Sequence, residues 1–327
     1  MGAVASRGAE PVVVGVDGGG SKTDAVALTL DGELIARASD VGSSPHFIGV
    51  EESVRQVDRL VREVSGGREV LQANLYLSGI DLPIEVDVFR ENLSHLPWAS
   101  EGTVIDNDLY ALLRAGTSAR DAVAVVCGSG INAIGRRADG QTARFAALGM
   151  ISGDWGGGTG IGEAAIWNAV RGNDLRGPHT SLTAAIPGSF GLATIDEVTH
   201  ALHLNEFDYS DLGRLSPLVF EHADAGDAVS IALVRRQGTE IALMAISAIE
   251  RLGMTGHAVP VVLGGGVVAS GHPILLDAVR ATLSTRTPNA AIVHVATPPI
   301  VGAALLAFES AGATSDALDR AREELER

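Results

Sequence analysis

Short apolar runs that stop at glycine or acidic residues recur along the chain, and their length and β-branched composition predict strands. These runs lie within 12–16, 25–30, 34–38, 73–80, 103–108, 122–135, 141–148 and 259–270. Between them, segments with apolar residues at every third or fourth position predict helices. The predicted helices are 50–64, 109–116, 228–252, 300–310 and 316–327. Strands that alternate with helices indicate an α/β fold.

One order of elements occurs twice, first near residues 12–38 and again near 122–148. In both stretches a strand is followed by a glycine turn, a second strand, an Asp-Gly hairpin turn and a third strand. The repetition is one of pattern and not of identity, and it predicts two similar domains. A chain of 327 residues is long enough for two domains.

Composition narrows the range of partners and locations. The net charge of −16 repels nucleic acid and anionic membranes, so we expect neither as a partner. The single cysteine, Cys127, excludes a disulfide within the chain and a multi-cysteine metal site. No stretch approaches the roughly 20 apolar residues of a bilayer span, and residues 1–10 lack the apolar core of a signal peptide. We therefore expect a cytoplasmic protein.

Glycine-rich turns follow three of the predicted strands, at 17-DGGGSKT-23, 127-CGSGIN-132 and 263-LGGGV-267. In the first turn, a P-loop would need lysine where Ser21 stands, and a Rossmann fingerprint would need glycine where Thr23 stands. Both motifs also open a helix, whereas residues 25–30 predict a strand. A phosphate here would lie in a β-hairpin turn, held by backbone N–H groups and by the side chains of Ser21, Lys22 and Thr23.

The whole set of motifs resembles the N-acetylglucosamine kinase and benzoyl-CoA reductase activating ATPase (BadF/BadG/BcrA/BcrD-type) family of the sugar kinase, heat-shock ATPase and actin superfamily. The resemblance spans about Pro11 to Ser310 and includes 17-DGGGSKT-23, 106-DND-108, 128-GSGIN-132, 149-GMISGDWGGG-158, 263-LGGGV-267 and 300-IVGAALLA-307. It implies an actin-like ATPase fold, in which two ribonuclease H-like domains close on ATP and a sugar in an interdomain cleft. The expected domains are 11–117 and 118–299, with helices at about 300–327 packing back on the first.

Site residues follow from the same resemblance. The first two glycine turns would hold the phosphates of ATP, and the third would lie beside the adenosine. The residues assigned to ATP are Gly19, Gly20, Ser21, Lys22, Thr23, Gly128, Ser129, Gly130, Gly264, Gly265 and Gly266. Asp17 would orient Mg²⁺ through water, and hard oxygen ligands suit that ion. Sugar contacts are assigned to Asn132, Asp154, Ser44, His46 and Asp81, although Asp154 could instead brace the loop 153–160.

Asp108 is the predicted general base, because a sugar hydroxyl must lose its proton as it attacks the γ-phosphate. A helix cap at the start of the helix 109–116 is the competing interpretation of this aspartate. Asp106 is a second candidate for the base, since alternation along a strand would place both carboxylates on one side.

Pro45 marks a departure from the N-acetylglucosamine kinases, which usually carry a sugar-binding asparagine at this place. Proline cannot make the same hydrogen bond. The substrate is therefore N-acetylglucosamine, another amino sugar, a muramic acid derivative or a plain hexose.

The alternatives to an ATP-dependent sugar kinase are a partner-coupled ATPase of the reductase-activator type and a non-catalytic sugar sensor. The activators hold an iron–sulfur cluster with two cysteines from each subunit, and a single cysteine disfavours that version. Retention of Asp17, Asp108 and both phosphate turns disfavours a sensor. A homodimer is common among the relatives and stays open here.

Overall fold

The computed structural model describes residues 10–327. Residues 1–9, which contain most of the stretch used for the signal-peptide prediction, lie outside this range. The chain divides into two compact units. The first unit contains the chain up to Ala119 together with Val295–Arg327, and the second contains Arg120–His294. The return to the first unit thus begins a few residues before the predicted boundary at 299.

The helices and strands have the following bounds. In the first unit they are β1 (Val12–Gly18), β2 (Lys22–Thr29), β3 (Leu34–Val41), α1 (Pro45–Ile48), α2 (Val50–Ser65), β4 (Val70–Leu77), α3 (Pro83–Leu93), β5 (Val104–Asp106) and α4 (Leu109–Gly116). In the second unit they are β6 (Ala122–Cys127), β7 (Ile131–Arg136), β8 (Thr142–Arg144), α5 (Gly157–Asn173), α6 (Leu182–Ser189), α7 (Ile195–His203), α8 (Leu215–Asp224), α9 (Ala228–Arg251), β9 (Pro260–Gly264), α10 (Gly266–Ala269), α11 (Pro273–Arg286) and β10 (Ala291–His294), with 3₁₀ helices at Gly149–Ser152 and Tyr209–Arg214. Helices α12 (Pro299–Ser310) and α13 (Ser315–Glu326) follow in the first unit.

The sheet of the first unit has five strands in the order β3-β2-β1-β4-β5. Strands β1 and β2 form an antiparallel hairpin, so the first glycine turn joins two strands and opens no helix. Strand β1 runs parallel to β4, and β4 runs parallel to β5. The carboxyl ends of these three strands therefore lie at one edge of the sheet, which is where ligands bind in open α/β sheets.

The second unit repeats this arrangement. Its sheet has the order β10-β9-β6-β7-β8, in which β6 and β7 form an antiparallel hairpin and β6 runs parallel to β9. Read from β8, the strands follow the same topological order as those of the first unit. The third strand of this repeat, predicted within 141–148, is only three residues long. Among the described residues, no helix is long and apolar enough to cross a membrane.

Helix α12 packs backbone to backbone against both β1 and α4. A Cβ atom on Gly302 would lie 1.9 Å from the carbonyl oxygen of Ala111 in α4. A Cβ atom on Gly15 in β1 would lie 2.7 Å from the backbone nitrogen of Ala304. Small residues at these contacts let α12 lie close to both neighbours, and its inner face is fully buried. The contact with Ala111 fixes the position of α4, which begins immediately after Asp108.

We expect Gly302→Ala to destabilise the first unit by about 2 kcal/mol or more, since an added methyl group in a tightly packed core forces the backbone apart. Urea unfolding followed by circular dichroism measures the change. The matched control is Gly102→Ala in the same unit, where a Cβ atom would have only ordinary contacts at 3.5 Å. Its effect should stay within about 0.5 kcal/mol, as for most surface substitutions. Equal unfolding free energies for the two variants would contradict the proposed tight contact.

Candidate active site

Carboxylates gather at the carboxyl edge of the first sheet. Asp17 lies one residue before the end of β1, Asp81 follows β4, and Asp108 follows β5. Burial raises the pKa of Asp17 well above its usual value, and the negative charges of Asp108 and Asp24 raise it further, whereas Lys22 lowers it. These groups are therefore close enough to influence one another's ionisation.

Asp108 has a pKa that is unusual for an aspartate. Burial raises the pKa of its carboxyl group to about 7, and the negative charge of Asp81 adds to the rise. The backbone N–H groups of Leu109 and of Asp108 itself oppose it. A carboxylate with this pKa can both accept and release a proton near neutral pH, which suits a general base.

Asn107, and not Asp108, caps helix α4. The Oδ1 atom of Asn107 accepts a hydrogen bond from the backbone N–H of Leu109 at 3.0 Å. Its Nδ2 atom donates to Oδ1 of Asp81 at 2.9 Å. Asp108 stands at the N-cap position, but its side chain makes no capping hydrogen bond. Sequence reasoning gave Asn107 no role, although asparagine is a preferred capping residue and lies two residues before the predicted helix.

Asp106 lies in different surroundings from Asp108. Strand β5 ends at Asp106, and Asp108 has helical backbone angles (φ −58°, ψ −22°), so the expected strand alternation does not reach it. The carboxylate of Asp106 accepts a hydrogen bond from the N–H of Asn107 at 2.8 Å. Its charge acts on Tyr76, whose pKa is raised mainly by burial and further by Asp106. Asp108 interacts with Asp81 and Asp17 instead.

The first glycine turn is closed by a hydrogen bond from the N–H of Gly19 to the carbonyl oxygen of Lys22 at 2.8 Å. The side chains of Ser21 and Lys22 are exposed, and Nζ of Lys22 lies 2.9 Å from Oδ1 of Asp24. Thr23 was predicted to hold phosphate together with Ser21 and Lys22, but unlike them it is buried. Its hydroxyl group donates to the carbonyl oxygen of Val41 at 2.9 Å. Its side chain thus supports the turn from within the sheet.

The segment containing Pro45 forms the short helix α1, which the sequence pattern did not predict. Buried Pro45 opens this helix directly after buried Ser44. The Nε2 atom of His46 lies 2.8 Å from Oε1 of Glu85. The other carboxylate oxygen of Glu85 accepts the backbone N–H groups of Asp81 and Leu82, each at 2.8 Å.

The predicted sugar contacts of the first unit lie close together around this glutamate. Ligand atoms of His46, Asp81 and Glu85 lie within 4.8 Å of one another. A Cβ atom on Gly79 would lie 2.8 Å from Oγ of Ser44 and 2.9 Å from Cγ of His46, so both side chains contact this glycine. The structure thus brings together the three residues that sequence reasoning had assigned separately.

In the second unit, the hairpin turn at Gly128–Gly130 is tied to the start of α5. The N–H of Gly158 donates to the carbonyl oxygen of Gly128 at 2.7 Å, and the N–H of Thr159 donates to that of Ser129 at 3.0 Å. A Cβ atom on Gly128 or Gly130 would meet no protein atom within 4 Å among the described residues. The turn therefore has open space on that side, as a phosphate-binding turn requires.

Asn132 and Asp154 both have local hydrogen bonds. The N–H of Ala133 donates to Oδ1 of Asn132 at 2.7 Å. The hydroxyl group of Ser152 donates to Oδ2 of Asp154 at 2.5 Å, and the N–H of Asp154 donates to the carbonyl oxygen of Gly149 at 3.1 Å. These contacts give Asp154 a bracing function in its loop.

The third glycine turn packs on the end of β6. Gly264 ends β9 and Gly266 opens α10. Gly265 has a φ of +90°, which favours glycine, and a Cβ atom there would lie 2.4 Å from the carbonyl oxygen of Cys127. Because Cys127 directly precedes Gly128, the second and third turns are neighbours in this unit.

Known proteins resemble the chain over nearly its whole length. It is 29% identical over 314 residues to N-acetyl-D-glucosamine kinase of Dictyostelium discoideum, covering 91% of this chain and 98% of the relative. It is 26% identical over 300 residues to N-acetylmuramic acid/N-acetylglucosamine kinase of Clostridium acetobutylicum, covering 90% and 97%. A crystal structure of a protein assigned as an N-acetylglucosamine kinase from Chromobacterium violaceum has a TM-score of 0.71 at 23% identity, covering 91% of this chain and 99% of that one.

The structural match confirms the predicted fold, two domains of the actin-like ATPase type. The family model described as the BadF/BadG/BcrA/BcrD ATPase family matches residues 14–307, which is far more than half of the chain. The chain therefore belongs to the BadF/BadG/BcrA/BcrD ATPase family, as its glycine turns and the motif 106-DND-108 predict.

Proposed function

We propose that the protein is an ATP-dependent kinase that transfers the γ-phosphoryl group to a hydroxyl group of an amino sugar, with Asp108 as the general base. The observation that carries the proposal is the state of Asp108. Its side chain makes no capping hydrogen bond to α4, it interacts with Asp17 and Asp81, and its pKa is about 7. Membership of an ATPase family and the names of the two curated relatives described above support the same reaction.

The residues around Asp108 explain how it serves as a base. Asn107 caps the helix and holds Asp81. The backbone N–H groups of Leu109 and Asp108 act on the carboxylate of Asp108, which in the proposal accepts the proton of the sugar hydroxyl. Burial and the charge of Asp81 keep its pKa near neutral, where a base is most effective. A positioned base of this kind contributes roughly 10²–10⁴-fold to the rate.

The nucleotide would be held by glycine turns in each unit. The N–H groups of Gly19 and Gly128 close the two turns by donating to the carbonyl oxygens of Lys22 and Gly130. In the proposal, other backbone N–H groups of the turns, such as those of Gly20, Ser129 and Gly130, contact phosphate oxygens, with Lys22 as a nearby cation. Asp17 fits a role in holding Mg²⁺ through water, because it offers hard oxygen atoms. Its pKa is raised mainly by burial and further by neighbouring negative charges, and a cation would offset both effects. When bound, Mg²⁺ neutralises charge on the β- and γ-phosphates.

The sugar would contact Ser44, His46 and Asp81 in the first unit, and Asn132 and Asp154 in the second. His46 is partly exposed and is oriented by Glu85, so its imidazole ring can contact a substrate group. The buried ring of Pro45 supplies no donor. N-acetylglucosamine or a related amino sugar is the proposed substrate. A homodimer, a cytoplasmic location and the absence of nucleic-acid binding stay predictions.

The proposed reaction is tested by measuring ADP release with ATP and Mg²⁺ over a panel of sugars: N-acetylglucosamine, glucosamine, N-acetylmuramic acid, glucose and a blank without sugar. We expect one amino sugar to stimulate ADP release manyfold over the blank, and mass spectrometry to find the matching sugar phosphate. Release of ADP at the same rate with every sugar and with the blank would contradict a kinase. That result would favour a partner-coupled ATPase.

We expect Asp108→Asn to lower kcat by roughly 10²–10⁴-fold while nucleotide binding is retained, because the amide cannot accept the proton. Asp106→Asn is the matched control, and it should retain most of the turnover.

The Asp108→Asn variant also tests the effect of Asp108 on stability. Because the pKa of Asp108 is raised in the folded state, its carboxyl group stabilises the fold at low pH, and this contribution is lost as the pH rises through about 7. At pH 8, Asp108→Asn should therefore melt at the same or a higher temperature than the wild type. Full turnover of Asp108→Asn would exclude this base.

A further inference from the structure

Gln237 is a buried polar residue near the middle of the long helix α9. Its side chain is fully buried, and its Oε1 atom accepts the backbone N–H of Gly157 at 2.9 Å. Within residues 10–327, no acceptor pairs with its Nε2 atom. A buried amide with an unpaired N–H₂ group is unfavourable for stability. Packing alone therefore does not explain why this position holds glutamine and not methionine or leucine.

The segment that Gln237 contacts has a backbone that favours glycine. Gly156 has φ 130° and ψ −156°, a combination that is essentially confined to glycine. A Cβ atom on Gly156 would lie 2.4 Å from Oε1 of Gln237. On the other side, a Cβ atom on Gly157 would lie 2.4 Å from Cα of Gly130. These two glycines are thus wedged between Gln237 and the hairpin turn at Gly128–Gly130.

Contacts on either side of Gly156 and Gly157 along the chain also hold this segment in place. The guanidinium group of Arg236, the residue before Gln237, lies 3.8 Å from the ring centroid of Trp155. On the helix side, the first N–H of α5 donates to Gln237, and the next two donate to carbonyl oxygens of Gly128 and Ser129. No side chain of the preceding residue caps α5, because that residue is Gly156. Gln237 therefore supplies, from a distant helix, the acceptor that a capping side chain would otherwise provide.

We propose that Gln237 is a positioning residue of the nucleotide site. It holds the 155–157 segment against the hairpin turn, so that the turn keeps the shape in which its backbone can bind phosphate. The inference rests on the proposed function, in which Gly128–Gly130 binds the phosphates of ATP. Gln237 itself contacts the glycine segment and is not assigned a contact with the nucleotide.

The test compares Gln237→Met with the wild type. Methionine has a similar size, removes the unpaired N–H₂ group and leaves the N–H of Gly157 unpaired, so the two effects on stability oppose each other. We expect a melting temperature close to that of the wild type. The Kd for ADP, measured by calorimetry, should rise by about tenfold or more (about 1.4 kcal/mol), because the displaced turn no longer presents its N–H groups to the phosphates. The amides of Gly157–Thr159 should also exchange hydrogen faster.

Ile241→Leu is the matched control, because Ile241 is fully buried one turn further along α9 and the change conserves volume. It should leave the Kd for ADP unchanged. If Gln237→Met does not fold, Gln237→Asn replaces it, since the shorter amide withdraws from Gly157 and should weaken ADP binding equally. A folded variant that binds ADP as the wild type does overturns the inference, as does failure of both variants to fold. Absence of ADP binding by the wild type would instead overturn the proposed function.

Discussion

The contact of α12 with β1 and α4 is the constraint on which the first unit depends. Gly302 lies against the backbone of Ala111, and Gly15 lies against that of Ala304, so three elements meet without intervening side chains. Backbone contacts of this kind have little freedom to adjust, because no rotamer change can relieve an added atom. Strand β1 carries Asp17 near its end and α4 begins after Asp108, so one packing contact sets the positions of both carboxylates.

In the second unit, hydrogen bonds and glycine contacts fix the position of the proposed phosphate-binding turn. Its hairpin turn is fixed by hydrogen bonds from the start of α5 and by the glycine pair that Gln237 contacts. In each unit, rigid elements and backbone contacts hold the residues proposed for catalysis or phosphate binding. We therefore expect function on this fold to depend also on residues that are assigned no contact with nucleotide or sugar, such as Gly302, Asn107 and Gln237.

The apolar periodicity predicted strands β1 to β9, the repeated topology and helices such as α4 and α9 to within a few residues, because those elements are strongly apolar on at least one face. It did not predict β10, α3 or α11. The glycine turns and the motif 106-DND-108 predicted the family. Other features depend on contacts between distant residues. The contact of Asn107 with Asp81, the buried hydroxyl group of Thr23 and the pairing of His46 with Glu85 require the strands to be assembled first. Helix α1 was not predicted because four residues are too few to show a period.

We propose above all that the fold holds the partly buried carboxylate of Asp108 at a pKa near neutral, where it can act as a base. The most direct measurement is NMR titration of the protein labelled with ¹³C at the aspartate side-chain carboxyl groups, with the resonance of Asp108 assigned by its loss in Asp108→Asn. We expect this resonance to titrate at a pH of about 7 in the free enzyme. A titration near the ordinary aspartate value of about 3.9 would contradict the claim.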